Sequence, residues 1–196
     1  MKNIFLSLVL LVSASSFSQS TYEDSMKSYL QNYVAKHEVV KGHNKEHMKF
    51  YDVAKAYCIV ADFKPSASAA WLTFETSGKK TQVYRLYGTL SFQLNKKSYQ
   101  LNVYQSQDLL TNPQYKDYLF LPFTDSTSGY ETYVGGRYIE LATTDIKNNK
   151  VVLDFNKAYN PYCAYVSGVY NCPIPPKENA LPVAIKAGEK NFTSLH

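Results

Sequence analysis

The sequence predicts a single domain that is mainly β, either an antiparallel barrel or a two-layer sandwich, with N-terminal α-helices packed on one side or end. From residue 57 onward, short apolar runs alternate with polar residues at a period of two and are separated by turn signals, a pattern typical of antiparallel strands. The chain has 18 tyrosines and 10 phenylalanines among its 196 residues, and both residue types favour strands. No internal repeat or linker divides the chain, which is long enough to bury one core.

Residues 1–18 have the form of a secretory signal peptide. Lys2 supplies the positive charge near the start, the apolar run extends from Ile4 to Val12, and small residues follow it. The apolar run is too short to span a bilayer, and no cysteine near the cleavage zone offers a lipid anchor. We therefore predict cleavage near Ser18, export to the periplasm or the medium, and no membrane insertion after cleavage.

Residues 19–56 form the predicted N-terminal helical segment. Ser20 and Glu23 have the spacing of a capping box, and apolar side chains at steps of three and four residues predict an amphipathic helix over residues 20–36. We interpret the apolar stripe of this helix as core packing. The stripe consists of Tyr22, Met26, Tyr29, Leu30, Tyr33 and Val34. A second, shorter helix is predicted from about residue 44 to residue 56.

The β domain is predicted to occupy residues 57–196. Eight strands are expected, at residues 57–63, 71–76, 81–94, 98–105, 117–123, 136–142, 151–155 and 181–190. Gly88 inside the third strand suits a β-bulge or a close backbone approach. Pro122 places its strand at an edge or a bulge, because proline cannot donate to the ladder. The spacing of strands and turns in the first half indicates an antiparallel meander.

The charge pattern argues against a nucleic-acid partner. The formal net charge is +5, but the lysines are scattered and form no long basic run. A short H-x-x-E-H pattern, from His43 to His47, resembles an inverted zinc-protease motif. Histidine is scarce elsewhere, and Asn44 is the better N-cap, which leaves His43 outside the helix. We therefore expect neither a metal site nor a cofactor.

Three cysteines bear on redox chemistry. Cys58 lies in an apolar strand and is interpreted as a small buried thiol. Cys163 and Cys172 are close in sequence, and in an oxidising compartment a disulfide between them is the leading hypothesis. Two reduced, packed thiols, or a reactive or metal-bound thiol, are the alternatives, because connectivity cannot be read from sequence alone.

Charged and amide residues in the C-terminal third, set among Tyr, Phe, Gly and Pro, form the candidate site. Arg137 follows a double glycine and enters a strand. A buried Arg137 needs a carboxylate partner, for which Asp125, Asp154 and Glu178 are candidates. If it faces a cavity instead, its guanidinium forks onto a carboxylate or phosphate. Both an internal network and a pocket lining fit this set. The six candidate ligand-binding residues are Asp125, Arg137, Asn156, Asn160, Glu178 and Asn179.

Four blocks in the same third follow one another in a distinctive order. They read LFLPFTDSTSGYETYVGGRYIEL, VVLDFNKAYNPYCAY, CPIPPKENALPVAI and AGEK. This series closely resembles the domain-of-unknown-function family 1684, DUF1684, and the resemblance covers about residues 57–190. It implies a family built on a sheet and without an established activity, of which this chain, by the form of residues 1–18, is an exported member. It therefore supplies no catalytic residue, cofactor or ligand, and it does not extend to the N-terminal helices.

Three functions are compatible with these observations. The leading hypothesis is an exported protein that binds a small polar or anionic ligand in a pocket around Arg137, with walls made by Tyr133, Tyr138 and Tyr159. The second is a hydrolase that uses the same site, with a carboxylate as general base. The third is a structural or interaction module of the cell envelope with no pocket. Whether the protein is an enzyme is left open, and no catalytic residue is assigned.

Overall fold

The computed structural model describes residues 9–68 and 70–193, with side chains from residue 21 onward. In this part of the chain, seven antiparallel strands form one sheet that curls into a half-barrel. The strands are β1 (Cys58–Pro65), β2 (Trp71–Phe74), β3 (Gln82–Leu94), β4 (Lys97–Ser106), β5 (Tyr118–Phe123), β6 (Arg137–Ala142) and β7 (Lys150–Asp154). A long helix, α1 (Val9–Lys36), precedes them, and α2 (Gln107–Leu110) is a single turn. The predicted mainly β class is confirmed.

The strand order in the sheet is β6, β5, β4, β3, β1, β7, and β2 pairs with the first half of β3. β3 and β4 form a long hairpin whose turn residues, Asn95 and Lys96, have φ values of 52° and 63°, as a two-residue type I′ turn requires. The register of the hairpin shifts between Leu86 and Gly88, which is the predicted bulge. A Cβ on Gly88 would lie 2.3 Å from Cε2 of Phe63, so the close approach of β1 requires glycine here.

The sheet buries side chains on both of its faces. Leu119, Leu121 and Phe123 of β5 are fully buried and belong to the main hydrophobic cluster, which also includes residues of β1, β3, β4, β6 and β7. Phe120 lies between the two leucines and therefore points to the opposite face. There it belongs to a second, aromatic cluster, which it forms with Phe74, Tyr84, Tyr104 and Tyr138.

α1 confirms the helix predicted over residues 20–36 but begins earlier, at Val9. Met26 of its predicted core stripe is buried, whereas Tyr29 is 41% exposed, so the expectation that the whole stripe packs into the core is wrong. The reason is that a cavity separates part of this face from the sheet. No helix in the described part of the chain is long and apolar enough to cross a membrane. Residues 1–8 of the predicted signal peptide lie outside the described residues, and its cleavage stays a prediction.

The second predicted helix, over residues 44–56, is wrong. Gly42–His47 form a short 3-10 turn, and the chain then runs without regular structure as far as residue 54. Tertiary pairing explains the difference, because the main-chain N–H of Tyr51 donates to the carbonyl of Gly188 (3.0 Å) instead of to a helical neighbour. The H-x-x-E-H pattern therefore lies on a 3-10 turn and not on an α-helix.

The last predicted strand, over residues 181–190, is also wrong. Its side chains do alternate in burial, since Ile185, Ala187 and Glu189 are all fully buried. The segment does not join the sheet, however, because its carbonyls accept hydrogen bonds from Arg137 where a strand would bind a neighbouring strand. A period of two thus predicts an extended chain but not the partner that makes it a strand.

The edge strands β6 and β7 face each other across the opening of the half-barrel. Residues of both strands line a cavity of about 330 Å³. Part of the free edge of β6 is covered, because Tyr138 and Tyr159 exchange two main-chain hydrogen bonds of 2.9 and 3.0 Å. α1 is attached to β7, since the hydroxyl of Tyr22 lies 2.9 Å from Oδ2 of Asp154. These contacts place α1 and the segment after β7 beside β6.

Candidate functional site

Arg137, the first residue of β6, has a side chain that is only 1% exposed. Its Nη2 donates to Oδ2 of Asp125 (2.6 Å) and to the carbonyl of Ile185 (2.9 Å). Its Nη1 donates to the carbonyls of Ala187 and Glu189. Burial lowers the pKa of the guanidinium and the carboxylate of Asp125 opposes this shift, so the arginine stays charged. Protein atoms thus surround this ion pair, which fastens β6 to the C-terminal segment.

Asn156 and Asn160 pin two irregular segments to the fold. Asn156 accepts a hydrogen bond from the N–H of Ala54 (3.0 Å) and donates both to the carbonyl of Ala54 (2.9 Å) and to the hydroxyl oxygen of Tyr22 (3.0 Å). The chain before β1 is thereby tied to α1. The main-chain N–H of Asn160 donates to Oε2 of Glu189 (2.9 Å), which ties the segment after β7 to the C-terminal segment.

Asn179 bridges β4 and β5 where their pairing is short. These strands share one backbone pair, Tyr104 with Phe120. Nδ2 of Asn179 donates to the carbonyls of Asn102 (2.9 Å) and Pro122 (2.6 Å), and its Oδ1 accepts from the N–H of Asn102 (2.8 Å). The amide therefore replaces ladder hydrogen bonds beside a proline, which has no N–H to offer.

The structure brings together only part of the predicted ligand-binding set. Arg137 and Asp125 are in contact, and Asn160 is linked to them through Glu189. Glu178 is exposed at the surface. The three residues that lie apart from the ion pair are Asn156, Glu178 and Asn179. The ligand-binding role of the set stays a prediction.

A cavity of about 900 Å³ lies between the C-terminal half of α1, β6 and residues 157–173. We call it the tyrosine-lined cavity. Six tyrosines line it: Tyr29, Tyr33, Tyr138, Tyr159, Tyr162 and Tyr170. Two of the three predicted wall residues, Tyr138 and Tyr159, are among them, and Tyr133 is not. None of the six candidate ligand-binding residues lines this cavity.

Neighbouring acceptors hold the hydroxyl groups of two cavity tyrosines, Tyr138 and Tyr159. Tyr159 donates to Oε1 of Glu140 (2.8 Å), and Tyr138 donates to the carbonyl of Pro173. Burial raises the pKa of both phenols above the ordinary value, so both rings are neutral donors at physiological pH. The rings are therefore fixed in place, and they present apolar faces and edges to the cavity.

Charged and amide side chains complete the lining. They are Asn32, Lys36, Glu38, Gln82, Glu140, Lys157 and Asn171. Nζ of Lys157 lies 5.2 Å from the ring centroid of Tyr29, which is within the range of a cation–π contact. The cavity thus combines an aromatic wall with a small number of polar groups, as small-molecule sites do.

His37 follows the end of α1 and also lines the cavity. Its ring makes edge contacts with three tyrosine rings, at centroid distances of 4.7 Å to Tyr165, 5.5 Å to Tyr33 and 5.8 Å to Tyr162. Burial and, to a smaller extent, the nearby Lys45 and Lys41 lower the pKa of His37 to about 4. The imidazole is therefore neutral at physiological pH.

Glu189 lies behind the cavity wall and is fully buried. The hydroxyl of Tyr165 donates to its Oε1 (2.7 Å), the N–H of Asn160 donates to its Oε2 (2.9 Å), and the hydroxyl of Tyr33 lies 3.4 Å from Oε2. Burial raises the pKa of Glu189 to about 7. This carboxyl group couples a wall residue of α1 to the C-terminal segment.

Cys163 and Cys172 form the predicted disulfide, with a Cα–Cα distance of 6.2 Å. Ser77 fastens it to the turn after β2, because Ser77 N–H donates to the carbonyl of Cys172 (2.9 Å) and Cys172 N–H donates to Oγ of Ser77 (3.2 Å). Cys172 also lines the cavity. Cys58 is a free thiol that is only partly buried, so the interpretation as a buried thiol holds in part.

Comparison with known proteins relates this architecture to one family. Residues 44–190 match the model of a family described as protein of unknown function, DUF1684. The chain belongs to the DUF1684 family. An uncharacterised protein of Haloarcula marismortui, whose structure was solved by NMR, is 29% identical, with a TM-score of 0.64, over 87% of this chain and 96% of that chain. No curated protein matches.

The DUF1684 match covers only part of the tyrosine-lined cavity. β6 and residues 157–173 lie within the matched region, whereas Tyr29, Tyr33 and His37 precede it. The α1 wall of the cavity is therefore contributed by a segment outside the family match.

Sequence reasoning missed this α1 wall of the DUF1684 protein. Periodicity alone assigns Tyr29 and Tyr33 to the core, because the stripe repeats at helical spacing. The signal that distinguishes them is their residue type, since tyrosine has an apolar body and a polar tip and suits a partly wet surface better than leucine does. His37 carries no motif, and only its burial beside the tyrosine rings marks it.

Proposed function

We propose that this DUF1684 protein is an exported protein that binds a small polar or anionic ligand in the tyrosine-lined cavity. The observation that supports the proposal most is the cavity itself. Its volume of about 900 Å³ falls in the range of small-molecule sites, and fixed aromatic rings with a few convergent polar groups are the usual lining of such sites.

Export forms part of the proposal. The N-terminal stretch has the order of a charged start, an apolar run and small residues, and the Cys163–Cys172 disulfide is of the kind that persists in oxidising compartments. Cleavage near Ser18 would leave the cavity-lining part of α1, residues 29–36, in place.

In this proposal, Arg137 and Asp125 do not contact the ligand but position the wall of the tyrosine-lined cavity. Tyr138 follows Arg137 directly and exchanges two main-chain hydrogen bonds with Tyr159. When the ion pair holds the start of β6 against the C-terminal segment, it therefore also sets the positions of two cavity rings.

The hydrolase hypothesis requires a carboxylate of raised pKa that a substrate reaches. Burial raises the pKa of Glu189 to about 7, but this group is fully buried and already accepts hydrogen bonds from Tyr165 and Asn160. Ligand binding is therefore the better supported function.

A ligand-observed NMR screen of aromatic acids, amino acids, sugars and nucleosides tests the proposal. We expect hits that shift the amide signals of Tyr138 and Tyr159, and that bind at least about tenfold more weakly to Tyr159→Ala, because that change removes a wall. Tyr130→Ala is the matched control, since Tyr130 is 85% exposed and does not line the cavity. Hits confined to another surface, or the absence of any hit, would count against the proposal.

A further inference from the structure

His37 carries the unsatisfied donor of the tyrosine-lined cavity. Its side chain is 5% exposed and lies among the cavity walls. Nδ1 accepts a hydrogen bond from the main-chain N–H of Val40 (2.9 Å), so the proton of the neutral ring is on Nε2. Nε2 is buried and has no hydrogen-bond partner among the described residues. Since buried polar groups are normally paired, this fixed tautomer leaves a donor without an acceptor at the cavity wall, enclosed by the rings of Tyr33, Tyr162 and Tyr165. A ligand atom reaches it when one of these rings turns aside.

The charges around His37 favour an anionic acceptor. Nζ of Lys41 lies 3.4 Å from the carbonyl of His37, and Nζ of Lys45 donates to another carbonyl in the last turn of α1. These ammonium groups offset the negative end of the α1 dipole, which by itself disfavours an anion at His37, and Lys36 lines the cavity itself. Glu38 is the opposing charge, and its carboxylate already accepts a hydrogen bond from a cavity tyrosine (3.2 Å). An oxyanion at Nε2 would therefore lie among more lysines than carboxylates.

The shape of the walls favours a flat ligand body. The rings of Tyr138 and Tyr159 meet at 90° with centroids 5.9 Å apart, and those of Tyr33 and His37 meet at 73° with centroids 5.5 Å apart. The hydroxyls of these tyrosines are already bound within the protein. Ring faces and edges are therefore the open parts of the wall, and such surfaces bind conjugated rings through offset-stacked and edge-to-face contacts.

We infer that the tyrosine-lined cavity takes a small aromatic carboxylic acid. One carboxylate oxygen accepts the Nε2–H of His37 beside Lys36, and the aromatic ring lies against Tyr138 and Tyr159. The inference rests on the proposed binding function and adds the chemical class of the ligand to it. Glu140 on the same lining is compatible with an anion, because its Oε1 already accepts the hydroxyl of Tyr159 (2.8 Å).

Three matched probes test the chemical class. The purified protein is titrated with 2-naphthoate, with the neutral 2-naphthamide and with the saturated decahydro-2-naphthoate, at about 150 mM salt. We expect 2-naphthoate to bind at least about tenfold more tightly than either of the others, because it alone is both anionic and flat. We also expect the Nε2 proton of His37 to move downfield in the NMR spectrum, because it gains a charged acceptor.

Two variants separate the donor from the positive charge. His37→Phe keeps an aromatic ring and removes the donor, and Lys36→Gln removes one charge from an exposed side chain. Each is expected to weaken 2-naphthoate binding by about fivefold, and Lys36→Gln is expected to leave 2-naphthamide binding unchanged. Lys27→Gln, at an exposed position of α1 outside the cavity lining, is the matched control. If His37→Phe does not fold, Lys36→Gln and the His37 proton signal carry the test.

The outcomes distinguish the ligand class from the binding function. Equal affinities for 2-naphthoate and 2-naphthamide would overturn the carboxylate, and an unmoved His37 proton would overturn the assigned contact, although either probe in the cavity would still support binding. If all three probes fail while fragments of other chemistry bind the cavity, the class is wrong and the proposed function stands. If the probes and the whole fragment screen fail, both are wrong.

Discussion

Arg137 is a buried charged residue whose two Nη groups bind protein acceptors, whereas its buried Nε has no partner among the described residues. Its guanidinium binds the carboxylate of Asp125 and three carbonyls of the C-terminal segment. A buried pair of this kind adds little net stability over an apolar pair, but removing one partner leaves an uncompensated charge and is strongly destabilising.

Arg137→Met is therefore expected to lower the free energy of unfolding by about 3–5 kcal/mol, because Asp125 and three carbonyls lose their partner. Urea denaturation measures this change. The matched control is Lys150→Met, which breaks an ion pair with Asp62 whose side chains are 58% and 73% exposed, and which should cost less than about 1 kcal/mol. Similar costs for the two variants would contradict a scaffold role for Arg137.

Glu189 gives the fold a predictable dependence on pH. Its pKa is raised from 4.5 to about 7 by burial, so the folded state binds this proton more tightly than the unfolded state does. The stabilising contribution is complete below pH 4.5 and is lost as the pH rises through 7. We expect the stability difference between the wild type and Glu189→Gln to fall by about 1–3 kcal/mol across that window, as measured by urea denaturation at several pH values.

The titration of His37 changes the stability in the opposite direction to that of Glu189 over part of the same pH range. Its pKa is lowered from 6.5 to about 4, so its contribution is complete above pH 6.5 and is lost as the pH falls through 4. The two effects oppose each other, so the free energy of unfolding of the wild type need not change with pH. The difference in this free energy between the wild type and Glu189→Gln isolates the contribution of the carboxyl group. A difference that does not change with pH would show that Glu189 titrates near its ordinary pKa when folded.

The sequence identified the charged residues of the Arg137 site as important, but it could not predict which of them are in contact in the folded protein. A strand arginine after two glycines predicts either a buried pair or a ligand contact, and Asp125 is the one of three candidate partners that it binds. A Cβ on Gly136, whose φ is +83°, would lie 2.5 Å from the carbonyl of Phe123. This glycine therefore allows β6 to begin close against β5, a long-range contact that local sequence does not encode.

At the scale of elements, the segment between Cys163 and Cys172 is expected to depend on its disulfide. Replacing both cysteines by serine should lower the free energy of unfolding by about 2–3 kcal/mol, because the unfolded chain regains the freedom of the closed loop. Urea denaturation tests this, with Cys58→Ser as the control for loss of a free thiol. An unchanged midpoint in the double variant would mean that the hydrogen bonds of Ser77 hold the segment alone.

Secondary structure could be predicted from sequence wherever the main-chain hydrogen bonds of an element lie within it or join it to its neighbour along the chain. The alternation in β3 and β4 is sufficient because a short turn pairs the two strands with each other. The predicted helix over residues 44–56 and the predicted strand over residues 181–190 are wrong because the main chains of these segments bind each other and Arg137, as the bond from Tyr51 to Gly188 shows. Such choices depend on tertiary contacts, which override local pattern.

At the scale of the whole molecule, sequence pattern predicts an antiparallel sheet but not how far it closes. Barrel and sandwich share the same alternation of side chains, and the difference lies in the pairing of strands that are distant along the chain. Here β6 and β7 stay unpaired with each other, and the Tyr138–Tyr159 bridge and α1 occupy the region beside β6. The tyrosine-lined cavity is a consequence of this incomplete closure, so the periodicity of the sequence does not predict the cavity either.

α1 is consequently expected to open more easily than the sheet. It is held by polar anchors such as the hydroxyl of Tyr22, which bonds to both carboxylate oxygens of Asp154 (2.9 and 3.0 Å) and accepts from Asn156. By contrast, none of the α1 residues whose side chains the structure describes, from residue 21 onward, belongs to the main hydrophobic cluster. Elements with few apolar contacts open locally at lower free energy. Tyr22→Phe should therefore speed amide hydrogen exchange in α1 by about fivefold or more, since it leaves buried polar groups unpaired, and leave β3 and β4 unchanged.

Ser28→Ala is the matched control for this measurement. The exposed Ser28 hydroxyl donates to the carbonyl of Asp24 (3.0 Å) within α1 itself, so its loss removes no contact with the sheet. It should leave exchange in α1 within about twofold of the wild type. If Tyr22→Phe instead speeds exchange equally in α1 and in the sheet, the helix and the half-barrel open as one unit. The cavity between them would then be a rigid feature of the fold, and a ligand would enter it without any movement of α1.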